Sequence, residues 1–324
     1  MILIVSNAQD VTANFFQERL EAAAVGFVRL NTERLAQVPL TYSVDGAKDD
    51  RVCGTFVLDG QRVRLTDIRS VYYRRPVAPE FPATLAPGLR DWMENETRRA
   101  WGGVLAASPQ VRWINDPLCV SRASYKPEQM ARAKRMGLRV PDTLITSEPA
   151  QARAFCKRQN WQVVAKPIGH GEILGDSEDD DRIIYTNMVP ETAAQRFDEV
   201  ASCPTLFQQA IAKDVDLRVT IVDDEVIPVE LHSQERAVSI IDCRRDNMSG
   251  MRYSCAELPG ALTQELIRLV QSYGLHYAAI DLVRDPAGRH WFLELNPAGQ
   301  WAWLEQAADV PISSALIRCL TKNG

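Results

Sequence analysis

Histidine is scarce: only His170, His232, His276 and His290 occur in 324 residues, and none shows metal-ligand spacing. Each is expected to be structural or exposed. The seven cysteines, Cys53, Cys119, Cys156, Cys203, Cys243, Cys255 and Cys319, form no CxxC pair. An odd, scattered set suggests neither a disulfide framework nor a zinc knuckle, but buried or inert thiols in a reducing cytoplasm. No apolar run reaches the roughly 20 residues that span a membrane. The start, Met1 to Asp10, lacks the basic residues and small-residue cleavage site of a secretory signal. A cytoplasmic protein with no membrane partner is expected. GxxxxGK[ST], GxSxG and HExxH are all absent, which argues against a P-loop NTPase, a nucleophile elbow and a zincin. Gly169, Gly171 and Gly175 miss the dinucleotide spacing by one residue. Positive charge is not in excess, with a net charge of −5, so no nucleic-acid partner is expected.

What is present is ordinary globular material, 46% hydrophobic and 24% charged, enough for two or three cooperating domains. Ile2–Ser6, a helix carrying Phe16, Leu20 and Ala24, and a strand at Gly26–Leu30 make a βαβ opening, so a parallel sheet is expected. Val52–Leu65 reads as a hairpin on Asp59-Gly60, Val71–Tyr73 as a strand ended by Arg74-Arg75-Pro76 with solvated arginines, and 88–107 as a helix. After Arg112–Asp116 comes a helix, Pro127–Met136, with Pro127 at its first position and Gly137 beyond its end. Strands at Asp142–Thr146 and Gln162–Lys166 flank a helix from Pro149. The acidic, glycine-rich stretch Gly169–Asp181 should be a mobile loop. The remainder is mostly antiparallel: Thr205–Ile211, a hairpin at Leu217–Leu231, a helix near Leu262–Tyr273, a hairpin at Ala278–Asn296 and a closing helix. The expected class is α/β, turning α+β in the C-terminal part, with domains at 1–120, 121–200 and 201–324.

The hairpin around Asp285-Pro286-Ala287-Gly288 carries the strongest chemical signal. A turn centred on Ala287-Gly288 puts Asp281 opposite Glu294, with Asn296 on the same face as Glu294. Opposed Cβ atoms lie about 5 Å apart, and like charges there repel. Apolar neighbours bury the pair, which then needs a cation or a shared proton. Oxygen donors alone suit magnesium. A solvated face with two chance acids is the other reading.

Two lysines bear on that choice. Lys166 ends an apolar strand, where its ammonium must snorkel to solvent or meet an anion. Gly169 and Gly171 follow, and glycine lets backbone amides approach phosphate. Lys126 precedes Pro127 at a helix start, where free amides and the helix dipole favour anions; by itself it reads as a surface lysine.

Together these residues resemble an ATP-grasp ligase. Lys126 and Lys166 look like that family's two phosphate lysines. Phe207-Gln208-Gln209-Ala210-Ile211 looks like its adenine hinge, and Asp281, Glu294 and Asn296 match its magnesium set. A narrower resemblance covers nearly the whole chain. Asn31-Thr32, Tyr73-Arg74-Arg75-Pro76, Asn115-Asp116-Pro117, Pro141–Thr146, Asp216-Leu217-Arg218, Asp242-Cys243-Arg244 and Asn296–Trp301 occur in the order seen in the MvdC/MvdD type, the microviridin or graspetide synthetases. Two positions depart from it: Gln209 stands where Glu is usual, and Cys243 where Trp is frequent.

The resemblance implies an ATP-grasp fold with a pre-ATP-grasp N-terminal domain, a central domain and a C-terminal domain. It implies ATP and Mg2+ as cofactors, a cytoplasmic homodimer, and a ribosomal precursor peptide, leader plus core, as partner. An Asp or Glu side chain of the core becomes an acyl phosphate that a Ser, Thr or Lys side chain attacks. A ligase joining a free amino acid or small molecule to a protein or metabolite is the alternative. Arg218, with its planar fork, suits the transferring phosphoryl group or the substrate carboxylate. Asp216 accepts the nucleophile's proton or orients the core, or else merely pairs with Arg218 at the surface. Arg244 is a further anion binder, Gly169–Asp181 a lid over ATP, and Trp301 and Trp303 are expected to pack the core.

Overall fold

The computed structural model describes residues 1–44, 53–107, 111–169, 171–173 and 182–322. Ile2–Ser6 (β1) is buried at every position, as a strand covered on both faces must be. Asp10 caps the next helix by accepting from the Thr12 and Ala13 amides, and Val11–Ala22 (α1) buries Phe16 and Leu20. Phe27–Asn31 (β2) runs parallel to β1, completing the expected βαβ opening. Leu40–Ser43 (β3), Cys53–Leu58 (β4) and Gln61–Arg64 (β5) form a small antiparallel sheet. Asp59 and Gly60 turn it with φ of 48° and 80°, the left-handed pair that a type I′ turn demands. Ser70–Tyr73 (β6), Pro87–Ala106 (α2) and Arg112–Ile114 (β7) complete a parallel sheet in the order β2-β1-β6-β7. Trp101, Val104 and Leu105 of α2 cover one face together with Phe56 and Val63.

Pro117–Ala123 (α3) was not expected from the sequence; Asp116 caps it. Lys126–Arg135 (α4) starts on Lys126 rather than Pro127, and Gly137 follows its end with φ 95°. Then come Thr143–Thr146 (β8), Pro149–Arg158 (α5), Val163–Lys166 (β9), Glu172–Ile173 (β10), Arg182–Ile183 (β11), Asn187–Met188 (β12) and Thr205–Gln209 (β13). Four of these strands pair antiparallel in the order β12-β9-β13-β8. Ala152, Phe155 and Cys156 of α5 pack on Val163 and Phe207. His170 and residues 174–181, most of the expected lid, lie outside the described residues.

Val215–Val222 (β14), Glu225–Leu231 (β15), Tyr253–Cys255 (β16), Tyr277–Arg284 (β17) and His290–Asn296 (β18) form an antiparallel sheet, with Gly260–Gln271 (α6) between β16 and β17. Leu217, Val219, Ile221, Ile280, Leu282, Phe292 and Leu295 turn one face to Leu266, Leu269 and Val270 of α6. Strand alternation sends Asp216, Arg218, Asp281, Glu294 and Asn296 to the other face. Ala302–Ala308 (α7) and Ile312–Thr321 (α8) return to the N-terminal sheet, where Leu304, Ile312 and Leu316 share a core with Phe16 and Leu20.

The β17–β18 hairpin corrects the sequence-derived turn. Arg284 pairs with His290 and Leu282 with Phe292, one residue out of step with a turn centred on Ala287-Gly288. A bulge then absorbs Leu293, and beyond it Asp281 pairs with Glu294 and Ala279 with Asn296. The expected opposition is therefore present, but a bulge produces it. The same bulge lets Phe292 and Leu295, three residues apart, face α6 together.

Candidate active site

Arg218, Asp281 and Glu294 are successive cross-strand partners on β14, β17 and β18. Lys126, at the start of α4, closes this row. Arg218 Nη1 donates to Asp281 Oδ1 at 2.7 Å, and Lys126 Nζ lies 3.1 Å from Glu294 Oε2. The charges therefore run plus, minus, minus, plus. Asp281 and Glu294 keep 32% and 29% of their side-chain surface, open enough for a ligand to reach. Lys126 also donates to the Pro167 carbonyl at 3.1 Å. Among the described residues the Nε of Arg218 is buried with no hydrogen-bond partner, which is costly unless something else engages it.

The neighbouring carboxylates respond in opposite directions. Burial pushes Asp281 up, and the Glu294 charge adds to it against the pull of Arg218. Burial opposes ionisation of Glu294 too, but Lys126 and Lys166 outweigh it and hold that carboxyl low. Lys166, paired on β9 with Leu206, is lowered to about 8 by burial, with Lys126 lowering it further and Glu294 opposing. Three cations thus face two carboxylates, a surplus that suits a polyanion. Asn296 points its Oδ1 at the Ala298 amide, 3.0 Å away, which holds the turn after the strand.

The alternative reading, an Asp216–Arg218 surface pair, does not hold. Asp216 is 9% exposed and is held instead by Lys213 Nζ at 2.7 Å and by the Ser233 hydroxyl, while Arg218 turns to Asp281. Arg244 folds back on Asp242 through Nε at 2.9 Å and Nη2 at 2.6 Å. Its charge still reaches Lys166. In the hinge, Gln208 is buried and donates to Thr143 Oγ1 at 2.9 Å. The Gln209 and Ala210 amides bond the Asp142 and Gln162 carbonyls; Ile211 follows, half-buried. Gly169 lies in open space, whereas a Cβ on Gly171 would come 2.5 Å from the Ile184 carbonyl. Close chain approach is reason enough for that glycine.

Arg74 is not solvated. Its side chain is 2% exposed and bonds the fully buried Asp10 at 2.6 Å. It also donates to the Gly299 carbonyl at 3.2 Å, and Tyr277 donates to the same oxygen at 2.8 Å. A Cβ on Gly299 would lie 2.6 Å from Ala279 Cβ and 2.9 Å from Arg218 Nη2. Gly299 therefore sits between the arginine of the N-terminal sheet and that of the charged row. Trp301 is buried, as expected, and donates to the Tyr72 hydroxyl at 2.9 Å; Trp303 is half-buried against Tyr253.

Several of these partners escaped the sequence reading. Asp10 stands where a helix cap belongs, two residues before Thr12, so that signal was present. Lys213 and Ser233 carry no local signature, whereas Gly299 lies in the Asn296–Trp301 segment quoted for the resemblance without a contact assigned to it. One further trio came together unforeseen: Asp223, His276 and Cys319, with ligand atoms within 4.8 Å. Arg112 donates to Asp223 at 3.1 Å and to Cys319 at 3.6 Å, so the carboxylate already has its counter-charge. Burial, with the Asp223 charge, pushes the Cys319 thiol up to about 12, which makes it a poor metal ligand.

A family model described as the MvdD pre-ATP grasp domain matches residues 1–121. No curated protein sequence matches the chain. Its structure is similar to that of macrocyclase MdnC bound with precursor peptide MdnA from Microcystis aeruginosa MRC, with a TM-score of 0.84 and 25% identity over 100% of this chain and 99% of that one. It is also similar to a RiPP-associated ATP-grasp ligase of Chryseobacterium gregarium in complex with ADP and a leader and core peptide, with a TM-score of 0.88 and 26% identity over 98% and 96% of the two chains. For macrocyclase MdnB from Microcystis aeruginosa MRC the TM-score is 0.78 and the identity 27%, over 99% and 98%.

Proposed function

We propose that this chain, an ATP-grasp ligase of the MvdC/MvdD type, phosphorylates Asp or Glu side chains of a leader-bearing precursor peptide and links them to Ser, Thr or Lys side chains. The observation that carries this reading is the row Arg218–Asp281–Glu294–Lys126, with Lys166 beside it. The similar structures, solved with precursor peptides and with ADP, support the same substrates.

In this reading Lys126 and Lys166 bind phosphate oxygens, and the hinge from Gln208 to Ile211 receives adenine, Gln209 serving by its uncharged amide. Asp281, Glu294 and Asn296 would hold Mg2+: two apposed carboxylates and an amide, all oxygen donors, fit that ion. When bound, magnesium neutralises charge on the phosphates. The orphaned Arg218 Nε supports a role for Arg218 towards the transferring phosphoryl group or the substrate carboxylate. Gly169 and Gly171 lead into the segment expected to close over ATP.

The chemistry balances in two steps. A peptide carboxylate oxygen bonds the γ-phosphorus, the bond to the bridging oxygen breaks, and ADP leaves. A hydroxyl oxygen or amine nitrogen then bonds the acyl carbon, the bond from that carbon to the phosphate oxygen breaks, and the departing phosphate takes up the nucleophile's proton. The protein's part is positioning and charge neutralisation. Both oxygens of Asp216 are already engaged by Lys213 and Ser233, which favours its orienting the core peptide over accepting the proton. Arg244, bonded to Asp242 with 54% of its side chain exposed, serves as the further anion binder.

The reading includes domains at 1–120, 121–200 and 201–324, and a cytoplasmic homodimer. Among the described residues no helix is long and apolar enough to cross a membrane. The test is incubation with ATP, Mg2+ and a leader-bearing peptide rich in Thr, Ser, Asp and Glu, followed by mass spectrometry. Loss of one water mass per ring, with peptide-dependent ADP release, is expected. An intermolecular adduct formed without a leader supports the ligase of free small molecules instead.

A further inference from the structure

β18 is the outer strand of its sheet, so its outward main-chain groups have no strand to bond. Another part of the chain meets them. The Phe292 amide donates to the Arg139 carbonyl at 2.7 Å. The Leu295 amide donates to Gln129 Oε1 at 2.9 Å, and Gln129 Nε2 donates back to the Leu295 carbonyl at 2.7 Å and to the Ala123 carbonyl at 2.5 Å. Gln129 is 2% exposed. Its amide stands in for a strand partner at one residue, and that residue lies between Glu294 and Asn296. The bulge at Leu293 is two positions away, where the ladder is locally broken. Lys126, three residues earlier on α4 and on the same helical face, grips the Glu294 side chain.

We propose that Gln129 is a positioning residue that sets Glu294 and Asn296 against Lys126 for binding of the metal–nucleotide complex. This rests on the reading of Asp281, Glu294 and Asn296 as magnesium residues. Gln129 acts through the Leu295 main chain and touches no ligand. Only a glutamine of this length accepts once and donates twice here. Glutamate keeps the acceptor but turns an anion toward two carbonyl oxygens; methionine keeps the length and loses all three bonds.

Wild type, Gln129→Met and Gln129→Glu are each mixed with a non-hydrolysable ATP analogue and titrated with Mn2+, the free ion being followed by electron paramagnetic resonance. Circular dichroism checks that each is folded. Both variants are expected to bind Mn2+ about 10–100-fold more weakly, the usual effect of losing a group that orients metal ligands. Folded variants that bind Mn2+ like wild type overturn the proposal and leave Gln129 a purely structural residue. Failure of both variants to fold overturns it too, because the tie then serves the whole fold. Wild type that binds nucleotide but no Mn2+ sinks the metal reading itself, a result distinct from a null effect of the variants.

Discussion

Lys126 and Glu294 meet at 3.1 Å, at the far end of a row that begins with Arg218 and Asp281 at 2.7 Å. Each carboxylate of the proposed metal site is thus neutralised by a cation of the proposed phosphate site. In the proposed reading Lys126 and Arg218 would face phosphate oxygens once a metal–triphosphate is bound, and Asp281 and Glu294 would hold the magnesium.

Glu294→Gln removes one metal oxygen charge and keeps the shape. Turnover is expected to fall about 100-fold or more, ~2.7 kcal/mol in the barrier, with a small change in thermal midpoint. Steady-state ADP release at saturating ATP, beside a thermal melt, checks it. Activity within error of wild type means that Glu294 holds no metal.

The Lys166 proton gives a pH signature with two opposite signs. The folded chain loses it near pH 8 and the unfolded chain near 10.5. Between those values the unfolded state binds more protons, so the Lys166 contribution to stability rises with pH. Nucleotide needs the charged form, so ATP affinity should fall up to about tenfold per pH unit above 8. Isothermal titration from pH 7 to 9.5 is the measurement. A Lys166→Met protein should show weak and pH-flat affinity; a wild type that is equally flat contradicts the assignment.

Arg74→Met leaves Asp10 buried without its bonded ion-pair partner, and removing one partner of such a pair costs about 3–5 kcal/mol. Denaturant unfolding should show it. Adding Asp10→Asn should recover part of the loss, and full additivity of the two changes is the contrary result.

Gly299→Ala places a methyl against Ala279 and Arg218. Overpacking of this kind costs about 1–3 kcal/mol, and displacement of Arg218 should lower turnover with little change in metal-free nucleotide affinity. Kinetics and binding measured on one preparation test this; wild-type turnover in a destabilised variant assigns Gly299 to packing alone.

Much of the architecture was legible because it rests on local rules. The βαβ start, the Asp59-Gly60 turn and the position of α4 follow from apolar period, turn chemistry and proline placement. α3 was missed because seven residues, Pro117–Ala123, show too little periodicity to announce a helix. The Asp281–Glu294 pairing was reached through a turn that the chain does not make, and the bulge at Leu293 restored it. Burial decided that register, since Phe292 and Leu295 must both reach α6.

By itself the sequence determined the chemical types at the site: two lysines, an arginine, two carboxylates and an amide, on elements whose local signals are strong. Tertiary structure alone decided which of them are neighbours. Arg218 chose Asp281 over Asp216 because adjacent strands bring them opposite, whereas residues two apart on one strand are held farther apart. Arg74 left solvent for Asp10, and Gln129 found Leu295, because hydrogen-bond partners distant in sequence are fixed by how elements pack, and no local pattern encodes that.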